Sequence, residues 1–461
     1  MKLRTVQLFF IVFIFSLIVS NIVYGQEDEN SDLLLIPKAI EDKVSPDKNS
    51  ALSGKAYIED AFTGWLNRST QTVPVPIELP NWQNRTSLDI DYNLQLNQWL
   101  KISLSDRLNG YVGNMIPFPS NESAGNDFRE AFLTFEPFPM TYLEAGRINL
   151  KNGTALGYNP SDFFKTQSSV NIASIDPSAQ KENRLGTVMI EDQQIWDNGS
   201  LTLAFAPKLQ NETQLQTTSI SGFNPLFGQT NYTNRFLASL SYDIANMNPK
   251  ALIFIDNIGA HIGLSLSKVI SSSVIAYAEW AGVTEADITN RALTKNTQTL
   301  PIGTMIQSNT SAAFQNDLAI GASWTSSSKL TINLEYHYHQ SGLNEGDFNR
   351  WISLGSSNST MAEVYWFIRQ YAAQQQEPLM QHEFFALFDY PDVIQSKLNL
   401  DAVAFISPYD GSILAQESVS YFISRKMTLG VFISESLGSL LSVYGSLPSI
   451  MSMALRVVWY I

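Results

Sequence analysis

The sequence contains no cysteine, and this absence excludes several classes of function. Without thiols the chain has no disulfides, no thiolate metal site and no cysteine nucleophile. At 461 residues it is nevertheless long enough to bury a core without disulfides. Basic residues are also scarce, because 29 Lys and Arg stand against 43 Asp and Glu, for a net charge of −14. That balance argues against a nucleic-acid-binding protein.

A long apolar run occurs once, at residues 8–19, behind two basic residues. Small residues and an acidic stretch follow it, which predicts a signal peptide cleaved after Gly25. An uncleaved membrane anchor is the alternative. Residues 26–52 are charged and aperiodic, so we expect a flexible periplasmic lead-in. Since no second run is long enough for a spanning helix, a membrane domain in residues 53–461 must cross with strands.

Strict alternation of apolar and polar residues is the main signal in the rest of the chain. It is clearest from Leu330 to His339, and it recurs at Leu88–Leu96 and His261–Ser267. Period-two alternation predicts a strand with one apolar and one polar face. Repeated strands of this length predict an all-β fold, a transmembrane antiparallel up-and-down β-barrel. The number of such segments indicates about 14–18 strands, and we prefer 18.

The connections between these segments fall into two length classes. Several are short, whereas others are long and rich in Asn, Gly, Ser and Thr, at 109–126, 152–183, 208–233, 283–312 and 341–379. Short turns at one end and long extracellular loops at the other are typical of outer-membrane barrels. The last loop also predicts one short helix, because Thr360 and Glu363 form a capping-box pattern before apolar residues at helical spacing.

A predicted strand ends in Gly146-Arg147 and leads into a loop with glycines and an Asn-Pro-Ser-Asp-Phe motif. The motif residues are Asn159, Pro160, Asp162 and Phe163. This arrangement resembles a signature of porin-like bacterial outer-membrane β-barrels, a family that includes alginate-export-type channels. The resemblance implies a channel in the outer membrane of a Gram-negative bacterium, with Arg147 in contact with solute carboxylates. The C-terminal Ile461 departs from the Phe or Trp usual in such barrels.

The motif also has a direct physical interpretation. Pro160 biases Asn159 toward an extended conformation, and Asp162 can cap the turn through its side chain. A loop held in this way can fold into the lumen as a constriction. An ordered surface turn is an equally simple interpretation, and the sequence leaves both open.

Charged residues on the polar faces of strands are candidates for the lining of a pore, because rings of charge at a constriction give selectivity. The predicted set is Asp89, Asp91, Lys101, Glu144, Arg147, Glu335, His337 and His339. His337 and His339 could chelate a metal from alternate strand positions. No third ligand is defined by the sequence, so we expect a hydrated lumen wall and no metal.

We find no nucleophile elbow, phosphate-binding loop or dinucleotide fingerprint, and therefore expect neither an enzyme nor a cofactor. The sequence predicts a passive channel for small hydrophilic solutes. Its expected partners are those solutes, outer-membrane lipids and the outer-membrane assembly machinery, with a homo-oligomer left open and no nucleic acid. The alternatives are an outer-membrane hydrolase that uses His337 or His382, and a plugged barrel whose loops bind a surface ligand.

Overall fold

The computed structural model describes residues 52–76, 78–114, 124–170, 173–212, 225–295, 311–393 and 397–461. The predicted signal peptide, and the predicted lead-in as far as residue 51, lie outside these described residues.

Eighteen antiparallel strands form a closed barrel, which confirms the predicted fold and the preferred strand number. Each strand pairs with its neighbours in sequence, and β1 pairs with β18 to close the sheet. The strands are β1 (Leu52–Asn67), β2 (Trp82–Asn97), β3 (Leu100–Gly113), β4 (Ala124–Phe138), β5 (Thr141–Ile148), β6 (Thr187–Trp196), β7 (Gly199–Ala206), β8 (Arg235–Tyr242), β9 (Met247–Ile255), β10 (Ala260–Ser271), β11 (Val274–Glu285), β12 (Ala313–Thr325), β13 (Thr331–His339), β14 (His382–Tyr390), β15 (Leu398–Ile406), β16 (Ile413–Ser424), β17 (Met427–Leu437) and β18 (Ser449–Tyr460).

The two faces of the wall differ in the way that the alternation predicts. On β13, Leu334 points outward with 58% of its surface exposed, while the next residue, Glu335, points inward and is 3% exposed. Successive strand residues face opposite sides of a sheet, so every second position belongs to the same face. The outward face is therefore mainly apolar and the inward face mainly polar.

The two ends of the barrel also differ. At the end that we call the turn end, strands are joined by short connections such as 98–99, 197–198 and 272–273. At the opposite end, which we call the loop end, long connections such as 149–186 and 340–381 leave the wall. The predicted contrast between short turns and long loops is confirmed.

Five helices lie in the described loops: α1 (Pro177–Asn183), α2 (Phe227–Thr230), α3 (Ile288–Lys295), α4 (Glu345–Gly355) and α5 (Ser359–Gln375). In the described part of the chain, every helix is too short or too polar to cross a membrane. The helix predicted in the loop 341–379 is present as α5, and a second helix that the sequence analysis did not predict, α4, precedes it in the same loop. The two helices pack against each other with the rings of Trp351 and Tyr365 stacked 3.9 Å apart.

The start of α5 also differs from the predicted capping box. Its N-cap is Asn358, whose side chain accepts a hydrogen bond from the Met361 backbone N–H at 3.0 Å. Asn, Ser and Thr follow one another at residues 358–360, and each can cap a helix. The pattern at Thr360 therefore located the helix but not its first residue.

Candidate functional site in the barrel lumen

Residues 149–186 connect β5 to β6, and we call this segment the lumen loop. Its described residues, 149–170 and 173–186, fold into the barrel. Its backbone contacts inward side chains on distant strands, namely Glu279 on β11, Glu335 on β13 and Gln416 on β16. The segment therefore crosses the interior from one side of the wall to the other.

Glu279 holds the first part of the lumen loop. One carboxylate oxygen accepts hydrogen bonds from the backbone N–H groups of Thr154 at 2.9 Å and Ala155 at 3.1 Å. The other accepts from the backbone N–H of Ser161 at 2.7 Å and from its hydroxyl at 2.8 Å. A buried carboxylate that accepts four hydrogen bonds is a strong, directional anchor.

Glu335 holds the next residues in the same way. It accepts from the backbone N–H groups of Leu156 at 2.6 Å and Gly157 at 2.9 Å, and from the Tyr277 hydroxyl at 2.7 Å. His337 Nε2 lies 2.8 Å from its second oxygen. This predicted lumen residue thus faces inward, and its hydrogen bonds are made to the loop and to the wall beside it.

Two glycines allow the lumen loop to approach the wall this closely. A Cβ atom at Gly157 would lie 2.5 Å from Cγ of Phe385, and one at Gly153 would lie 2.6 Å from a Glu279 oxygen. Gly153 also has a φ of 84°, which favours glycine. A side chain at either position would push the segment away from its carboxylate anchor.

The predicted motif forms the inner turn of the lumen loop. Asp162 makes a buried bidentate contact with Arg184, at 2.7 and 3.2 Å. Burial alone would raise the pKa of Asp162, but the Arg184 guanidinium and the Lys181 ammonium outweigh it and hold this pKa below its usual value. Phe163 stacks on Phe254 of β9, with ring centroids 5.1 Å apart. The turn is therefore fixed both internally and against the wall.

Asn159, another motif residue, contacts two lysines of the lumen loop. The backbone oxygen of Asn159 accepts a hydrogen bond from Lys165 Nζ at 2.6 Å, and its side-chain oxygen accepts one from Lys181 Nζ at 3.2 Å. Burial lowers the pKa of Lys165, whose Nζ lies 4.2 Å from the centre of the Tyr158 ring. Pro160 lines a cavity described below. The structure thus places the whole motif inside the barrel.

A buried ion-pair network occupies the inward face of β2, β3 and β4. Asp89 accepts from Nε of Arg107 at 2.7 Å and from Nη2 of Arg129 at 2.7 Å. Asn183 of the lumen loop accepts from Nη1 of Arg129 at 2.9 Å. A carboxylate bonded to two guanidinium groups is well satisfied, so Asp89 positions these arginines.

The strand register places three more predicted residues on the inward face. Asp91 lies two residues beyond Asp89, and Lys101 is paired with Thr134. Thr134 is in turn paired with Glu144 and donates a hydrogen bond to it at 3.0 Å. Directly opposed residues share one face, so all three point into the lumen.

Arg147 is placed differently from the prediction. It pairs with Ala131 and Val188, whose neighbours two residues along, Leu133 and Ile190, are exposed on the outward face. Arg147 therefore leaves the wall on the outward side and donates to the Gly186 backbone oxygen at 2.9 Å. The physical reason is that successive residues of a strand point to opposite faces, so Arg147, three positions from the inward Glu144, points outward.

The two predicted histidines of β13 face carboxylates. His337 lies between Glu335, at 2.8 Å, and Glu383, at 3.1 Å. Nδ1 of His339 lies 2.7 Å from Asp317, and its Nε2 lies 3.0 Å from the Ser341 hydroxyl. Among the residues that the structure describes, no group of ligating side chains could hold a metal ion.

Ser341, His339 and Asp317 have the spacing of a nucleophile, a base and an orienting acid. Two features oppose that role. Ser341 is 2% exposed, and Arg291 donates a hydrogen bond to its hydroxyl at 3.0 Å. His382, the other histidine considered for hydrolysis, lies on the outward face of β14 with Nδ1 2.6 Å from the Tyr336 hydroxyl. These contacts describe a packed wall and not an open catalytic cleft.

Charges of opposite sign line neighbouring parts of the inward wall. Arg456 on β18 is part-exposed, lies 4.8 Å from the Phe432 ring and 3.7 Å from Glu59. Asp389 and Asp401 oppose each other on β14 and β15, and both are half-buried. The inward wall therefore carries a guanidinium group on β18 and a pair of carboxylates on β14 and β15.

A cavity of about 380 Å³ lies at the loop end between the lumen loop, α3 and the residues that follow α5. Its charged lining includes Arg291, which is 2.7 Å from Glu377 and 3.4 Å from Glu285. Phe163 and Tyr371 supply aromatic surface. The cavity therefore combines paired charges with aromatic walls.

Sequence reasoning missed the residue that makes the most hydrogen bonds to the lumen loop. Glu279 lies on an alternating strand with Tyr277 and Ala281 on the same face, so its inward direction was readable from the sequence. Nothing local indicates its partner, because Ser161 precedes it by 118 residues. Arg184 was missed for the same reason, since its pairing with Asp162 depends on the path of the loop.

No protein-family model and no curated protein sequence matches this chain. Similarity appears instead among solved structures. Pseudomonas aeruginosa OccK8 (OprE) aligns with 89% of this chain and 98% of its own length, at 10% identity and a TM-score of 0.50. Acinetobacter baumannii OccAB1 aligns with 89% of this chain and 96% of its own length, at 8% identity and a TM-score of 0.51. At such identities the similarity establishes the fold alone: the chain has the closed antiparallel barrel fold of porins.

Proposed function

We propose that this protein is a channel of the Gram-negative outer membrane through which small hydrophilic solutes diffuse passively. The observation that carries the proposal is a closed barrel with an apolar outward face, a polar inward face and a loop folded into its lumen. An apolar outer band around a polar interior is the arrangement of a membrane barrel that passes polar solutes. The fold shared with porins supports the same conclusion.

The lumen loop is the constriction in this proposal. Its anchors on β11 and β13 keep it across the interior, and its contact with Gln416 on β16 extends it further around the wall. A narrowed passage lined by fixed charges selects by size and charge. The plugged barrel remains the competing proposal, because the same loop could close the lumen completely.

The charges suggest which solutes to test first. Arg456 presents a part-exposed guanidinium group on the inward face, and guanidinium recognises carboxylate in a bidentate way. The resemblance to alginate-export-type channels adds acidic sugars to the neutral sugars and amino acids worth testing. Arg147 does not support this part of the proposal, because it lies on the outward face.

The test is conductance of the purified full chain in planar lipid bilayers. We expect discrete ohmic steps, together with uptake of small sugars by proteoliposomes and exclusion of large ones. Protein that inserts with native β-structure but carries no current and admits no solute would refute the channel and favour the plugged barrel.

A charge reversal tests whether the inward arginine faces the passage. In R456E we expect the ratio of cation to anion permeability to rise several-fold, because a guanidinium in the passage becomes a carboxylate. The matched control is R350E, on the exposed surface of α4, which should leave this ratio unchanged. Equal ratios in wild type and R456E would place the passage elsewhere.

A further inference from the structure

Asn152 of the lumen loop and Lys250 of β9 meet inside the barrel. Lys250 lies on the inward face, because Leu252 and Phe254, two and four residues further along the strand, are buried there. Its Nζ lies 3.0 Å from the side-chain oxygen Oδ1 of Asn152. The two residues are 98 apart in the sequence, so this contact ties the lumen loop to a distant part of the chain.

Neither group is fully satisfied by other contacts. Asn152 is 4% exposed, and its amide nitrogen Nδ2 is buried without a hydrogen-bond partner among the described residues. Lys250 is half-buried, and the described lysines that form ion pairs are others, namely Lys151, Lys295 and Lys329. Buried amides and ammonium groups are usually paired. The contact therefore brings together two groups that the fold leaves incompletely satisfied.

A third such group lies beside them. Ser265 of β10 is paired with Lys250 in the strand register, faces inward and is 5% exposed. Its hydroxyl is buried and has no hydrogen-bond partner in the described part of the chain. Directly opposed residues have Cβ atoms about 4.5–5.5 Å apart, so this hydroxyl lies close to the lysine side chain.

A second lysine contacts the same asparagine. Nζ of Lys181, in α1, donates to the backbone oxygen of Asn152 at 2.7 Å. It also donates to the side-chain oxygen of Asn159 at 3.2 Å and to the backbone oxygen of Gly153 at 3.5 Å. A neighbouring cation is one way in which proteins keep a lysine as a neutral amine. Within the described residues Lys181 has three oxygen acceptors and Lys250 has one, so Lys250 is the lysine that gives up its proton.

We infer that Lys250 and Asn152 form an intramolecular isopeptide bond. The neutral amine of Lys250 attacks Cγ of Asn152, a new C–N bond forms, and the bond between Cγ and Nδ2 breaks. Nζ loses one proton and Nδ2 gains one and leaves as ammonia, so the step needs no oxidant and no further reagent. The Lys181 ammonium, held on the backbone oxygen of the same asparagine, carries the proton by giving one to Nδ2 and taking one from Nζ.

The geometry suits this reaction. Oδ1 is bonded to Cγ at about 1.2 Å, so the amine lies at most about 4.2 Å from Cγ. Reacting atoms in a near-attack arrangement are about 3–3.5 Å apart. The reaction removes both the unpartnered amide nitrogen and the lone ammonium charge, and the amide N–H that replaces them can donate to Ser265. The link would hold the lumen loop against β9, and it does not depend on the passage of solutes in the proposed function.

Peptide mapping of the purified full chain tests the inference. Trypsin cleaves after Lys and Arg, so Asn152 begins the peptide 152–165 and Lys250 ends the peptide 236–250. A lysine in an isopeptide bond is not cleaved. We therefore expect 152–165 joined to 236–268, with the sum of their masses less one ammonia.

Variants locate the link. K250R should give unlinked peptides, because a guanidinium stays protonated and does not attack, and N152A should do so because it has no amide to lose. The matched control K268R, on the outward face of β10, should keep the link. A succinimide at Asn152 and Gly153 also loses ammonia, but it leaves 152–165 unjoined and persists in K250R. Unlinked peptides from the wild type, or loss of ammonia from 152–165 alone, would overturn the inference.

The part played by Lys181 is tested with K181R, which keeps the cation and its hydrogen bonds but does not release a proton. Chains collected from inclusion bodies are refolded in detergent, and the joined peptide is measured over time. We expect the link to form at least about 100-fold more slowly than in the wild type, and an equal rate would contradict proton transfer by Lys181. None of these measurements uses conductance, so failure of the link and failure of the channel are distinguishable.

Discussion

Replacing Glu279 by glutamine tests the lumen loop as a constriction. The carboxylate accepts four hydrogen bonds, two at each oxygen. In E279Q one oxygen becomes an NH₂ group that cannot accept, so at least two donors of the lumen loop lose their partner. The side chain keeps its size and place in the wall, and the strand ladder of β11 is unchanged.

The expected magnitude follows from those two donors. A buried donor left without a partner costs about 1–3 kcal/mol, so the docked loop loses at least about 2 kcal/mol. Since 1.4 kcal/mol is a factor of ten, the fraction of undocked loop should rise at least about 30-fold. A loop that leaves the wall more often should widen the passage intermittently.

Two measurements follow the loop in E279Q. Single-channel recordings should show larger or noisier conductance steps than in the wild type. Amide hydrogen exchange should increase in residues 149–186 and not in β11. The matched control is E144Q, because Glu144 is an inward, buried carboxylate whose hydrogen bond is to Thr134 and not to the lumen loop.

If the conductance, the current noise and the amide exchange of E279Q equal those of the wild type, Glu279 does not anchor the lumen loop and the reasoning is refuted. It would mean that the remaining contacts, such as those with Glu335, hold the lumen loop without Glu279. Equal changes in E279Q and E144Q would instead indicate a general effect of a lumen carboxylate on the current. Only a change confined to E279Q supports the anchor.

Two further predictions concern the same loop. G157A should lower the midpoint of thermal unfolding, because its Cβ would lie 2.5 Å from Cγ of Phe385. The control G110A should leave the midpoint unchanged, because the closest contact of its Cβ would be at 3.8 Å. Equal midpoints in the two variants would contradict this prediction. Asp162 has a lowered pKa beside Arg184, so its stabilising effect is complete above its unfolded pKa of about 3.9 and is lost as the pH falls through its lower folded pKa. The difference in unfolding temperature between wild type and D162N should therefore shrink below about pH 4, and a constant difference would rule out this linkage.

The fold was predictable because it depends on a local pattern. Alternation along Leu330–His339 is visible in the residues themselves, and each strand with that pattern must place its apolar side away from a polar interior. The face to which each residue of a single strand points could be read from the sequence as well. Glu144 and Arg147 are three residues apart, so alternation places them on opposite faces. The sequence motif had instead suggested a shared role in the lumen.

The path of the lumen loop was not predictable in the same way. Its anchors come from β11 and β13, and no spacing within residues 149–186 indicates them. The sequence did favour a fixed turn at Pro160 and Asp162, because those residue types restrict the backbone or cap it. Whether that turn faced the lumen or the surface depended on contacts more than a hundred residues away, such as that between Ser161 and Glu279.

The distance in sequence between the lumen loop and its anchors has a consequence for assembly. Tyr158 meets His339 across 181 residues, and Ser161 meets Glu279 across 118. Neither contact can form until β11 and β13 have joined the growing sheet. In a partly assembled barrel that contains β5 and β6 but lacks β11 and β13, the segment that connects β5 to β6 therefore lacks these two docking surfaces. Docking of the lumen loop therefore reports that strands from both sides of the wall have assembled.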